Sequence, residues 1–149
     1  MRLADRRCCG PWLAALAAAA AVLPVVAARA EAPPAAAVTL LEERTLPEFG
    51  DKEALVLTVE YPPGSSSLPH RHDAEVFVYV LAGEVEMQLA GREPVTLHAG
   101  ETFYEGPEDV HVRSANPDVR VPARLLVFMV KDLGRPVSRP AEASKESAR

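Results

Sequence analysis

Cysteine is confined to Cys8 and Cys9. Beyond residue 9 the sequence offers no disulfide, no thiolate ligand and no thiol nucleophile, so any bound metal must rest on nitrogen and oxygen. Basic charge is also short, with 16 Lys and Arg against 21 Asp and Glu and a net charge of −5. Nucleic acid and anionic lipid both require a basic face, and neither is expected as a partner. No stretch has the apolar spacing of an amphipathic helix, and no internal repeat is visible.

Only one long apolar run is present, from Trp12 to Val26. It is rich in alanine, interrupted by Pro24, and short of the roughly 20 strongly apolar residues that a bilayer requires. Arg2, Arg6 and Arg7 precede it and Ala28-Arg29-Ala30 follows it, the order of a secretory signal cleaved after Ala30, with a membrane anchor as the competing reading. Arg6-Arg7 leaves twin-arginine export open beside the general route. A lipoprotein's acylated cysteine follows the apolar run, whereas Cys8 and Cys9 precede it. Cleavage would remove four arginines and one aspartate and take the net charge from −5 to −8. The expected location is periplasmic or secreted, with no membrane attachment after cleavage.

Residues 31–38, with Pro33, Pro34 and four alanines, predict a flexible leader. Residues 134–149 combine Pro136, Pro140, three serines and mixed charge without apolar periodicity, and predict a disordered tail. The domain expected between them, residues 39–133, alternates β-prone runs with turn signals. Strands are predicted over Ala54–Tyr61, Val76–Leu81, Glu84–Leu89, Val95–His98, Thr102–Glu105, His111–Ser114 and Ala123–Lys131. Turn sequences such as Pro62-Pro63-Gly64, Ala82-Gly83, Ala90-Gly91 and Ala99-Gly100 separate them. The fold class is all-β, a sandwich or barrel of antiparallel strands.

His70-Arg71-His72 is the chemical signature of the chain. In an extended segment residues i and i+2 project from one face, so the two imidazoles can hold one ion. His111 can join them if its strand returns beside the first. Glu75 is the nearest carboxylate that could complete the set. A bare His-x-His is often just a pair of solvated residues, but this one leads directly into the apolar run Val76–Leu81. His98, beside a turn, reads as a solvated residue.

Here the chain resembles the cupin superfamily in its small single-domain form. Gly64, His70, His72 and Gly83 fall in register on the family's first motif, and Gly100 and His111 on its second, with the resemblance running from Ala54 to Lys131. It implies a jelly-roll barrel with a divalent metal inside, and a homodimer that could exchange an N-terminal strand around Thr39 to Glu43. The family's glutamate would fall at position 76, which is Val76, while the carboxylate is Glu75. A one-residue offset turns a side chain to the opposite face. Glu75 therefore reaches the metal only through a bulge, and otherwise faces outward beside a three-histidine site. In the second motif Gly106 precedes Pro107 and Glu108 stands where glycine is usual, so that turn is altered.

Neutral nitrogens with at most one carboxylate suit Fe, Mn, Ni, Co or Zn, and leave positions open for substrate, water or dioxygen. Val76, Val78 and Val80, with some of Met87, Leu89, Phe103 and Phe128, would make an apolar wall. The first functional reading is a metal-dependent dioxygenase acting on a small apolar or enolisable substrate, with Glu75 as ligand or proton acceptor and Tyr104 as the other candidate base. The second is a non-catalytic periplasmic module that binds metal or a small ligand as a sensor. The third, a Lewis-acid isomerase or decarboxylase, needs a further proton-transfer residue.

Overall fold

A computed structural model describes residues 35–141; the expected signal peptide, residues 1–30, lies outside them. The strands are β1 (Ala37–Leu46), β2 (Lys52–Tyr61), β3 (Ser66–Ser67), β4 (His70–Arg71), β5 (Ala74–Ala82), β6 (Glu84–Leu89), β7 (Val95–His98), β8 (Thr102–Glu105), β9 (His111–Ala115), β10 (Ala123–Asp132) and β11 (Arg139–Pro140). They form two antiparallel sheets of a jelly roll. One sheet runs in the order β1-β2-β10-β5-β8 and the other β11-β4-β9-β6-β7, with β3 also paired to β9.

Period-two alternation explains the central strands. Residues 74, 76, 78 and 80 of β5 are buried while 75, 77, 79 and 81 are exposed. β10 repeats the pattern with Ala123, Leu125, Val127 and Met129 inside. Val80, Val85, Ala123 and Met129 are fully buried. Each of the buried valines and Met129 contributes about 1.5–3 kcal/mol by leaving water. At one end of the core, buried Lys131 and Glu53 face each other across the β10–β2 ladder and form an ion pair. The Gly134 amide donates to Glu53 and the Arg135 carbonyl accepts from Lys131, which meets the further demands of the buried charges.

Two expectations are corrected at the ends. Residues 37 and 38 of the expected leader already belong to β1, which pairs with β2 along its whole length. Of the expected tail, residues 134–141 are ordered: β11 pairs with β4, the Ala141 amide donates to the Pro69 carbonyl, and Arg139 donates twice to Asp73. The first is held by its ladder with β2 and the second by β4, Pro69 and Asp73, with Ala36 and Val137 packing against the core. Among the described residues no helix is long and apolar enough to cross a membrane.

Candidate metal centre

β4 and β9 bring the three histidines together. His70 and His111 are paired directly across the ladder, and His72 follows His70 on the same face. The His70 ring lies 4.9 Å from that of His72 and 5.2 Å from that of His111, centroid to centroid. One nitrogen from each of the three comes within 4.8 Å of the others, so the group could hold a metal ion.

Hydrogen bonding fixes which nitrogens are offered. His70 Nδ1 lies 2.8 Å from the Leu68 carbonyl and His72 Nδ1 lies 2.7 Å from the Val137 carbonyl. A carbonyl only accepts, so each Nδ1 carries the hydrogen and each Nε2 keeps its lone pair, the arrangement found in metal-binding histidines. Burial pushes the His70 pKa down, against the pull of the Leu68 bond, and the neighbouring His72 and His111 push it further. The neutral ring is the form a metal requires. His111 is almost wholly buried, and neither of its nitrogens has a hydrogen-bond partner. An unpaired buried polar atom costs about 1–3 kcal/mol, which a shared cation would offset.

The carboxylate at this site is Glu105, the last residue of β8. Its Oε2 lies 3.1 Å from His111 Nδ1, misaligned for a hydrogen bond, and 3.7 Å from His72 Nε2. The ligand atoms that all lie within 4.8 Å of one another are those of the three histidines, and Glu105 stands beside two of them. Burial opposes the charge on Glu105, but the nearness of His111, His72 and His70 outweighs it and lowers the pKa. Three imidazoles are a donor set that fits a divalent first-row metal, and Glu105 is the buried carboxylate beside them.

Glu75 is elsewhere. It is exposed on the outer face of β5, where its carboxylate accepts a short hydrogen bond from the Tyr104 hydroxyl. That bond raises the Tyr104 pKa, with burial and the Glu75 charge adding to it. No bulge follows His72 to turn Glu75 inward; Asp73, in the left-handed region at φ +50, completes the turn and β5 keeps its alternation. Tyr104 and Glu75 thus bond to each other outside the barrel rather than serving the histidines. Phe103 and Glu105 share one face of β8, and Phe103 stacks on His111.

Above the histidines a cavity of about 1000 Å³ opens between the sheets, walled by Leu57, Val59, Val76, Val78, Leu125 and Val127. Phe128 of the expected wall instead faces outward. The segment carrying β11 also lines the cavity, through Val137 and Arg139. Arg71 and Arg139 both bond Asp73, the residue next to His72. His98 is exposed at its turn, near Glu84 and Glu101.

Residues 57–129 match the family described as Cupin domain. This segment is a cupin domain. No curated protein matches the chain. A double-stranded β-helix protein from Klebsiella pneumoniae superposes on this chain with a TM-score of 0.57 at 19% identity, covering 76% of this chain and 90% of that one. The DMSP lyase DddQ from Ruegeria pomeroyi gives 0.54 at 25% identity, over 65% of this chain and 47% of the lyase. An oxalate oxidase solved with glycolate gives 0.55 at 23% identity, over 70% of this chain and 54% of the oxidase. This chain thus spans about half the length of each of those two enzymes.

Proposed function

We propose that this cupin is an exported metal-dependent enzyme of dioxygenase type that takes a small apolar or enolisable substrate into the cavity between its sheets. The observation that carries the reading is the convergence of three histidine nitrogens, with the Glu105 carboxylate beside His111 and His72, in a largely apolar cavity. A first-row ion bound there supplies Lewis acidity and open positions for substrate and dioxygen. His70 and His72 would hold it through Nε2, oriented by the Leu68 and Val137 carbonyls, and His111 would complete the set of imidazoles. Glu105 replaces Glu75 as the group that offsets the ion's charge or accepts a proton from the substrate. The valine and leucine walls exclude water and favour a substrate with an apolar body.

Two solved neighbours named as enzymes, a DMSP lyase and an oxalate oxidase, support a catalytic reading. Export rests on the basic, apolar and small-residue order of residues 1–30. A homodimer is supported by the exposed outer face of the first sheet, where Phe77, Tyr79, Leu81, Tyr104 and Phe128 lie uncovered.

Oxygen uptake by Fe(II)-loaded protein tests the reading against a panel of enolic and phenolic compounds. Consumption that disappears in His111→Ala is expected. Retention of iron with no consumption on any compound would overturn the dioxygenase and favour the second reading, a non-catalytic metal or ligand sensor. One observation speaks for that alternative: Glu105 is the only carboxylate among the described residues lining the cavity.

A further inference from the structure

The cavity contains a second polar group that the histidine site does not use. Tyr61, the last residue of β2, is buried and reaches across from one sheet to Ser67 and Ser114, which are paired directly on β3 and β9 of the other. Its hydroxyl lies 2.9 Å from Ser67 Oγ and 2.5 Å from Ser114 Oγ, and Ser114 Oγ lies 3.4 Å from Met87 Sδ. All four residues line the cavity.

Hydrogen counting defines what this group lacks. A thioether only accepts, so the Ser114 hydrogen points at Met87. Ser114 then accepts from Tyr61, and Tyr61 accepts from Ser67. The relay therefore ends in a hydroxyl hydrogen held by a weak sulfur acceptor, and begins at Ser67 with oxygen lone pairs unused by the relay. An entering hydroxyl group can serve both ends, accepting the hydrogen and donating one back.

A bulge sets the distance of this relay from the histidines. His111 and Ser114 are three residues apart, and strict alternation would send them to opposite faces. The β9–β6 register shifts between them, however: His111 pairs with Leu89, Arg113 with Gln88 and Ser114 with Met87. Three steps on β9 span two on β6, so both side chains point inward. Their partners are two residues apart, which separates the two positions by about 7 Å along the strand.

We propose that Tyr61, Ser67 and Ser114 form a polar subsite that recognises a hydroxyl at the far end of the substrate. The substrate class is then a small molecule with metal-binding oxygens at one end, an apolar body, and a hydroxyl across the molecule from them. This rests on reading the histidines as the metal centre of an enzyme for enolic or phenolic compounds.

The test is calorimetric titration of the full chain loaded with Zn(II), which has no redox chemistry, using 4-(hydroxymethyl)catechol and its near-isostere 4-ethylcatechol. The wild type should bind the hydroxymethyl compound about tenfold more tightly, the equivalent of one well-placed hydrogen bond. Tyr61→Phe and Ser114→Ala should lose that preference while keeping their affinity for 4-ethylcatechol. Ser67→Ala, at a half-buried position, should reduce the preference and provides a second variant should the buried ones fail to fold. Equal binding of the two catechols by the wild type, or a preference that survives these substitutions, would overturn the subsite and leave the metal-enzyme reading standing. Binding of neither catechol by the Zn(II) protein would overturn both.

Discussion

Replacing Glu105 by Gln and, separately, Glu75 by Gln separates the two carboxylates that bear on the histidine site. Glu105 Oε2 lies 3.1 Å and 3.7 Å from nitrogens of His111 and His72, whereas Glu75 is exposed and bonded to Tyr104. A ligand that binds only the folded state stabilises it by RT ln(1 + [L]/Kd), about 2.7 kcal/mol at a hundredfold excess over Kd. For a domain of this size each kcal/mol is worth about 4–8 °C in Tm, so metal should raise the wild-type Tm by roughly 11–22 °C. Glu105→Gln keeps the side-chain volume and an oxygen but loses the charge. A loss of about 10- to 100-fold in affinity, as for a disrupted ligand support, leaves about 0.4–1.4 kcal/mol at the same metal concentration. The shift should therefore shrink to roughly 2–11 °C, while Glu75→Gln retains the full response. Thermal unfolding with and without Zn(II) reads both. Equal shifts in the two variants, or a shift lost only in Glu75→Gln, would refute the assignment of Glu105.

Three further outcomes follow from other parts of the fold. Gly83 and Gly91 both have positive φ, but a Cβ on Gly83 would lie 2.7 Å from the Pro122 carbonyl oxygen and 2.8 Å from Ala123 Cα, whereas one on Gly91 meets nothing within 4 Å. Both alanine variants incur the left-handed backbone cost, and Gly83→Ala should melt roughly 5–20 °C below Gly91→Ala in calorimetry because backbone must move. Ending the chain at Pro136 removes the Val137 carbonyl that orients His72 while keeping the groups that bond Lys131 and Glu53, and equilibrium dialysis should show a 10- to 100-fold loss of Zn(II) affinity. The hydrogen bond from Lys131 lowers the Glu53 pKa, against burial and with help from the Gly134 amide. Its contribution to stability is then fully present above the unfolded value of about 4.3 and is lost as pH falls through the lower folded value. Urea titrations from pH 7 to 3 should show this acid loss in the wild type and not in Glu53→Gln.

Period two is legible in a sequence where a strand has one buried face. Ala74–Ala82 and Ala123–Asp132 alternate because one side of each lies in the core, and that is what period two records. β1 escaped the same reading because nine of its ten residues are exposed, leaving no apolar side to write into the pattern. β11 escaped because two residues carry no period at all, and its order comes from Asp73 and the β4 backbone, far back in the chain. The histidines were legible from local spacing and flanking glycines. The inward turn of Ser114 was not, since it depends on a bulge in the pairing of β9 with β6.

Glu105 falls between these cases, and its position suggests why the site tolerates valine at 76. Val76 and Glu105 are direct partners across the β5–β8 ladder, and both are buried. Directly opposed residues on one face of a sheet have Cβ atoms about 5 Å apart. A carboxylate presented from either strand therefore approaches the same histidines. Alternation along β5 turns Glu75 outward, and the carboxylate beside the histidines lies on β8, whose pairing with β5 is not local in sequence. Exchanging the pair tests this equivalence. Glu105→Val should weaken Zn(II) binding at least tenfold by leaving the nitrogens without a carboxylate, and Val76→Glu added to it should recover affinity to within about tenfold of the wild type, the two changes coupling as neighbours do. The double variant contains the same two side chains as the wild type, so the interior volume is conserved. If it binds metal no better than Glu105→Val alone while remaining folded, the two strands are not interchangeable sources of the ligand, and the direction of approach from β8 is itself required.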